Sequence, residues 1–207
     1  MDDRNFLALD LEMNNFEGCD RPGKIIQVGI AIGTLNAFKS YSSSSANKLT
    51  YIEKSWYVYP GEKIYPRITE LTGITSEDVE KYSTPIDCIH DEIKNLMLVH
   101  SCYPNPVVWG SGDSDLFKKE VIESLGRCHV FGHRDIDVKT LHTFELLANN
   151  RKTNSSLKTA LNQYKLKFEG IPHRAMDDAK NTLSLFFYLI NRQHKVNDLI
   201  NQVSNLK

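Results

Sequence analysis

Apolar and polar residues alternate with a period of two through residues 6–13, Phe-Leu-Ala-Leu-Asp-Leu-Glu-Met. That period predicts a strand with Leu7, Leu9 and Leu11 on one face and Asp10 and Glu12 on the other. Residues 24–33 (KIIQVGIAIG) form a near-continuous apolar run bounded by glycine, which predicts a second, buried strand. Residues 49–59 are rich in aromatic and β-branched side chains (Tyr51, Ile52, Trp56, Tyr57, Val58) and end at Pro60-Gly61, predicting a third. The polar stretch 14–23, broken by Gly18, Pro22 and Gly23, and the serine run at 41–47 read as loops, the second an exposed hairpin loop. Three strands joined in this way predict an antiparallel meander.

Helical spacing then takes over. Residues 68–75 predict a short helical turn closed by Gly73, and Ser76 with Val79 begins another. Ile86, Ile89, Ile93 and Leu96 predict an amphipathic helix over 85–100, ended by Pro104 and Pro106. Residues 106–109 (Pro-Val-Val-Trp) read as a fourth strand running into Gly110-Ser-Gly-Asp113, from which Leu116, Phe117, Val121 and Leu125 mark a helix. Ile136 and Val138 suggest a brief fifth strand before a helix through Leu141, Phe144 and Leu147. Ser155 or Ser156 is placed to cap a helix containing Leu157, Ala160 and Leu161. Pro172 precedes a long helix with Ala175, Ala179, Leu183, Phe186 and Ile190 on one side. Residues 194–207, with Val196, Leu199, Ile200 and Val203, read as a further amphipathic helix or a loosely held tail. Strands first and then strand–helix alternation predict an α/β fold with a mixed five-stranded sheet flanked by helices. The expectation is a single domain over 1–207 with its core in about 6–190.

Composition narrows the partners. The 207 residues are 41% hydrophobic and 25% charged, with net charge −1, so a nucleic-acid ligand would have to be gripped by a local patch or through metal ions. The four cysteines (Cys19, Cys88, Cys102, Cys128) contain no Cys-x-x-Cys pair, which argues against a zinc ribbon or a disulfide framework. Cys128, His129, His133 and His142 lie close in sequence, but their spacing fits no zinc pattern. Reduced thiols, an acidic start (Asp2, Asp3) and no apolar run of membrane-spanning length lead us to expect a soluble cytoplasmic protein without a signal peptide or membrane partner.

The chemistry lies in the acids. Two carboxylates side by side on a buried strand are costly unless something neutralises them, and hard divalent cations such as Mg²⁺ or Mn²⁺ take oxygen ligands. Asp10-Leu-Glu12 alone is also compatible with an edge strand whose acids face water. Asp113 sits where a strand ends and a helix begins, a common ligand position in α/β sheets, although a helix N-cap would explain it as well. Asp115 competes with it; Asp113 is preferred because Leu116 and Phe117 then turn inward three and four residues later. In His173-Arg-Ala-Met-Asp-Asp-Ala-Lys180, Ala175 and Ala179 form a small-residue face on a helix, and Asp178 neighbours Ala179 one turn after Arg174, with no basic residue spaced to pair with it. Asp177 competes with Asp178 and reads as a solvated neighbour. Four carboxylates and a histidine are what metal-assisted phosphodiester hydrolysis requires: ions about 4 Å apart to clamp attacking and leaving oxygens, and a group titrating near neutrality to take a proton.

Asp10-Leu-Glu12, Trp109-Gly-x-x-Asp113 and His173-Arg-Ala-Met-Asp-Asp178-Ala resemble, in order, the three exonuclease motifs of the DEDD superfamily, histidine subclass: DnaQ-like 3′–5′ exonucleases on an RNase H-like fold. The resemblance runs from about Phe6 to Ile190, and Leu71-Thr-Gly-Ile-Thr75 is similar to a stretch such proteins carry at that place. The Trp-Gly form of the second motif is similar to the branch that trims small and structured RNAs. The resemblance implies two Mg²⁺ ions, with Mn²⁺ substituting. Asp10 would bridge both, Glu12 and Asp178 would complete one site, Asp113 would hold the other, and His173 would be the general base. It also implies that the backbone at Leu11 and Met13, with Ile74 and Thr75, holds the 3′-terminal nucleotide.

The expected activity is therefore a metal-dependent 3′–5′ exonuclease acting on a single-stranded or 3′-overhanging RNA or DNA end and releasing nucleoside 5′-monophosphates. The rival is a catalytically silent nucleic-acid-binding or regulatory module on the same fold. Tyr103, Trp109 and Tyr164 are candidates to stack on bases, although core packing also accounts for Trp109. Arg151, Lys152, Lys158, Lys165 and Lys167 form either a solvated face or a substrate-guiding patch. The choice between RNA and DNA, and whether a homodimer or a protein partner adds specificity, are open at the level of sequence.

Overall fold

The computed structural model describes residues 3–15, 23–43, 50–127, 130–153 and 155–205. Its sheet is mixed and five-stranded: β1 (Asn5–Asn14), β2 (Lys24–Thr34), β3 (Ile52–Tyr57), β4 (Val107–Val108) and β5 (Ile136–Asp137), in the order β3-β2-β1-β4-β5. The first three strands pair antiparallel as the expected meander, and β4 and β5 add in parallel on the other side of β1. Between them run α1 (Leu35–Ser43), α2 (Pro66–Thr72), α3 (Ser76–Tyr82), α4 (Ile86–Val99), α5 (Asp113–Leu125), α6 (Val138–Ala148), α7 (Leu157–Gln163) and α8 (Ala175–Ser204).

The period of two in β1 separates two cores. Leu7, Leu9 and Leu11 pack with Ile30, Ile89, Ile93, Phe117 and Val121, under α4 and α5. Phe6 and Ala8 face the other way, against Ala179, Leu183 and Phe187 of α8. Asp10 and Glu12 continue that second face, so both faces of β1 are covered and the water-facing edge-strand alternative fails.

Four expectations are corrected. Leu35–Ser43 is a helix that takes in the start of the serine run; residues 44–49 of that expected loop lie outside the described residues, as do residues 16–22 of the first loop. Leu35 and Phe38, buried on one helical face, supply the packing that serines do not. α6 forms where expected but buries Val138, His142 and Leu146, leaving Leu141, Phe144 and Leu147 exposed. Its inward face includes a histidine, which an apolar stripe does not reveal. Val138 belongs to α6 rather than to the fifth strand. Residues 194–204 are neither a separate helix nor a tail: with no glycine or proline after Ala175, α8 runs unbroken for 30 residues. Among the described residues no helix is long and apolar enough to cross a membrane.

Candidate active site

Opposite Asp10 in the β1–β2 register stands Gly29. A Cβ there would lie 2.1 Å from the Ala175 carbonyl carbon and the Met176 nitrogen, so only glycine lets the first turn of α8 settle on the sheet. Gln27, two residues earlier on β2, accepts the Ala175 N–H at 3.0 Å through Oε1 and fixes where the helix begins. With Ala175 and Ala179 fully buried against the sheet, Asp178 in the first turn is brought to Asp10 and Glu12. Asp10, Glu12 and Asp178 each offer an oxygen within 4.8 Å of the others, a hard-oxygen set suited to a divalent cation.

Asp113 arrives from the opposite side. Gly112, at φ 120°, occupies the N-cap position of α5, so Asp113 is the first helical residue and not the cap. Its carboxylate instead accepts the backbone N–H of Leu11, between the two β1 acids. Asp115 points to solvent with its side chain 80% exposed, 3.9 Å from Lys118. The approach to Asp113 is held by two acids not identified in the sequence. Asp137 accepts the Gly110 N–H at 3.0 Å while capping α6, and Asp135 accepts the Ser114 hydroxyl at 2.6 Å. Asp137 ahead of a helical pattern is an N-cap signal in the sequence; its reach back to Gly110 is not.

His173 lies just before α8 with φ 63°, an uncommon conformation for a side chain of its size. Its N–H donates to Asp178 Oδ2 at 2.7 Å. Asp177 is not the solvated neighbour expected: its Oδ2 accepts the Ile171 N–H at 2.9 Å, and its carboxylate fills the space beside Gly170 that a Cβ would occupy. The adjacent acids thus clasp alternate amides of the loop that presents His173.

The acids are electrostatically uncomfortable. Burial pushes Asp10 well above the ordinary carboxylate range, and Asp113, Asp178 and Glu12 push it further. Burial, with Asp178 and Asp113, raises Glu12 to about 8. Burial raises Asp113 to about 6 against the Leu11 amide, and Asp178 to about 6 against the His173 amide and ring. Among the described residues, no lysine or arginine forms an ion pair with any of the four. A set of acids that cannot ionise together is completed by cations.

These side chains open into a pocket of about 420 Å³. Its lining comprises Asp10, Leu11, Glu12, Asp113, His173 and Asp178 together with Trp109, Phe168, Pro172 and the Ser156–Lys158 segment. The structure therefore gathers all five sequence-predicted catalytic residues and Leu11 in one cavity. Met13, two residues beyond Leu11 and past an irregularity in the strand, is not among its lining residues. Ile74 and Thr75 are not either. Ile74 is buried with Ile26, Ile64, Ile68 and Val79 and borders a neighbouring cleft of about 340 Å³ with Gln27, Arg174 and Asp177, while Thr75 caps α3.

Trp109 lies over His142, ring centroids 6.0 Å apart, and packs against the core while lining the pocket. His142 uses both ring nitrogens, one with Tyr164 Oη and one with Ser155 Oγ, each at 3.0 Å, so it has none left for a metal. Cys128 and His129 fall outside the described residues. Tyr103 and Tyr164 pack against Phe6 and Tyr188.

A family model described as RNase_T, Exonuclease, matches residues 7–186. No curated protein matches the chain in sequence. Among solved structures, the nuclease domain of 3′hExo, a DEDDh family member bound to rAMP, is similar with TM-score 0.70 and 16% identity over 91% of this chain and 92% of that one. Cell-death related nuclease 4 (CRN-4) gives TM-score 0.72 and 17% identity over 91% of this chain and 64% of that one. Exonuclease I of E. coli, in complex with a dT13 oligonucleotide, gives TM-score 0.62 and 14% identity over 95% of this chain but 43% of that one.

Proposed function

The chain belongs to the RNase_T exonuclease family, and from that premise we propose that it is a metal-dependent 3′–5′ exonuclease releasing nucleoside 5′-monophosphates from single-stranded or 3′-overhanging ends of RNA or DNA. The observation that carries the reading is the uncompensated oxygen cluster of Asp10, Glu12 and Asp178, with Asp113 coupled to it through burial and charge. Solved structures of similar fold hold a histone mRNA stem-loop or single-stranded DNA, which supports a nucleic-acid end as substrate.

In this reading Asp10 would contribute to both ion sites, Glu12 and Asp178 would complete one, and Asp113 would serve the other. Mg²⁺, or Mn²⁺ in its place, supplies Lewis acidity that eases generation of the nucleophile and neutralises phosphate oxygens. His173, which lines the pocket, takes the proton of the attacking water at a ring nitrogen. The water oxygen bonds to phosphorus as the P–O3′ bond breaks, and the departing O3′ takes a proton from solvent, leaving a 3′-hydroxyl on the shortened strand and a free 5′-monophosphate. The backbone at Leu11 and Met13 steadies the terminal nucleotide from the strand side, with Ile74 approaching from the neighbouring cleft and Thr75 from the N-cap of α3. The proposed exonuclease domain spans 1–207, with its core in about 6–190.

The test is a time course on 5′-labelled RNA and DNA strands with Mg²⁺, with Mn²⁺ and with EDTA. A ladder shortening from the 3′ end, lost with EDTA and with Asp10→Ala, is expected, and the faster strand identifies the preferred sugar. Intact strands in the presence of either metal, with folded protein, would leave a nucleic-acid-binding module instead.

A further inference from the structure

The pocket has a charge asymmetry that the carboxylate chemistry leaves unused. Besides the acids, the lining includes Lys158 of α7, the one lysine or arginine among the residues lining the cavity. Of the basic residues clustered before the third motif, Arg151, Lys152, Lys165 and Lys167 are exposed and do not line it. Lys158 makes no ion pair with any described residue. Its neighbour Ser156 is already spent, accepting the Thr159 N–H at 3.2 Å as the cap of α7. The helix beneath is held by Leu157, Ala160 and Leu161, all buried, so the lysine stem rises from a fixed base.

Resting on the exonuclease reading, we propose that Lys158 is a phosphate-binding subsite for the nucleotide upstream of the scissile bond. A cavity of about 420 Å³ is at the small end for a ligand site, so the terminal nucleotide fills it and the strand leaves over the rim. The scissile phosphate goes to the acid side, where cations offset its charge. The next phosphate leaves that field and needs a counter-charge at the rim, and an ammonium on a flexible stem is suited to a backbone phosphate whatever the base. The subsite makes the enzyme sensitive to strand length and salt, and indifferent to sequence.

The experiment compares two substrates in the full chain: a short single-stranded oligonucleotide, and the p-nitrophenyl ester of a nucleoside 5′-monophosphate, which has the scissile phosphate and no upstream one. Oligonucleotide binding is also read by fluorescence anisotropy in Ca²⁺ across a salt series. For Lys158→Ala the expected result is a rise of about tenfold in KM and Kd for the oligonucleotide, exceeding any change on the ester by a similar factor. The slope of log Kd against log salt should fall by about 0.7, the release expected for one phosphate contact on a single strand. Lys158→Arg restores most of the affinity, and Lys152→Ala leaves it at the wild-type level. A salt slope and Kd for Lys158→Ala equal to wild type, or an equal loss on ester and oligonucleotide, would overturn the subsite. A wild-type protein that cleaves neither substrate overturns the exonuclease reading itself, an outcome separate from an active wild type beside an unaffected variant.

Discussion

Helix α8 carries Asp178 in its first turn and Lys180 two residues later, and each enters a cluster of charge. Lys180, 8% exposed, lies 2.9 Å from Glu53 and 3.0 Å from Glu169. Burial pulls its ammonium down, but the two carboxylates outweigh that and raise it. Asp178 meets Asp10 and Glu12, and all three are pushed up. One cluster contains its own counter-charge and needs nothing more; the other gathers acids with no lysine or arginine paired to them among the described residues. The difference separates a structural ion pair from a site built for a ligand: charge left uncompensated within the fold is compensated from outside.

Substituting into the two clusters should have opposite signatures. Asp178→Ala removes a ligand but no core volume. Activity should fall about a thousandfold or more, corresponding to several kcal/mol of lost charge stabilisation. The Tm of the metal-free protein should hold steady or rise, because one repelling charge is gone. Near-normal turnover in a steady-state assay would show that the third-motif acid is misassigned. Lys180→Ala should do the reverse, costing about 3 kcal/mol of stability by stranding two carboxylates, or about 6–12 °C in Tm. Specific activity of the folded fraction should be little changed. Adding Glu53→Gln and Glu169→Gln should recover most of the loss in thermal melts; if it does not, the triad is not what holds that flank of α8.

His173→Ala divides the catalytic cluster further. Its ring lies at the pocket and its amide holds Asp178, and only the ring is removed by alanine. Turnover should drop about a hundredfold or more, while the rise in Tm on adding Mn²⁺ survives. Unchanged turnover would take the histidine out of the mechanism; loss of the Tm response would make it part of the metal site.

The sequence made one side of this comparison legible. Alternation placed Asp10 and Glu12 on one face of β1, and the third motif placed Asp178 and His173 at a helix start, because both are local patterns. What brings them together is not local. Gln27 and Gly29 set the start of α8 from a strand nearly 150 residues away; the only trace is an isolated glycine in an apolar strand, which signals a close backbone approach without naming the partner. Lys180 with Glu53 and Glu169, and Asp137 with Gly110, are likewise pairings of tertiary structure. Asp177 departs from the expected solvated neighbour because its role, holding the Ile171 amide, depends on a loop conformation that residue type does not fix. The apolar residues of α6 predict the helix, yet its buried polar member, His142, is stabilised by hydrogen bonds that no periodicity records.

The smallest expected effect is in the metal-free protein itself. Glu12 is raised from 4.5 to about 8, and Asp113 and Asp178 from 3.8 to about 6. A carboxyl group raised on folding binds its proton more tightly in the native state. Its contribution is complete below the unfolded pKa and is lost as pH rises through the folded one. In EDTA, therefore, Tm should fall by about 5 °C between roughly pH 5 and pH 8, after allowance for the rest of the molecule. Saturating Mg²⁺ or Mn²⁺ should flatten that slope and raise Tm most at the alkaline end, since cations compete with protons for the same oxygens. The slope should shrink in Asp178→Ala, where the cluster has lost a charge, and persist in Lys180→Ala, where the cluster is intact. A slope that follows Lys180 instead would mean that the pH response belongs to the ion-paired flank of α8, and the distinction between the two clusters would fail.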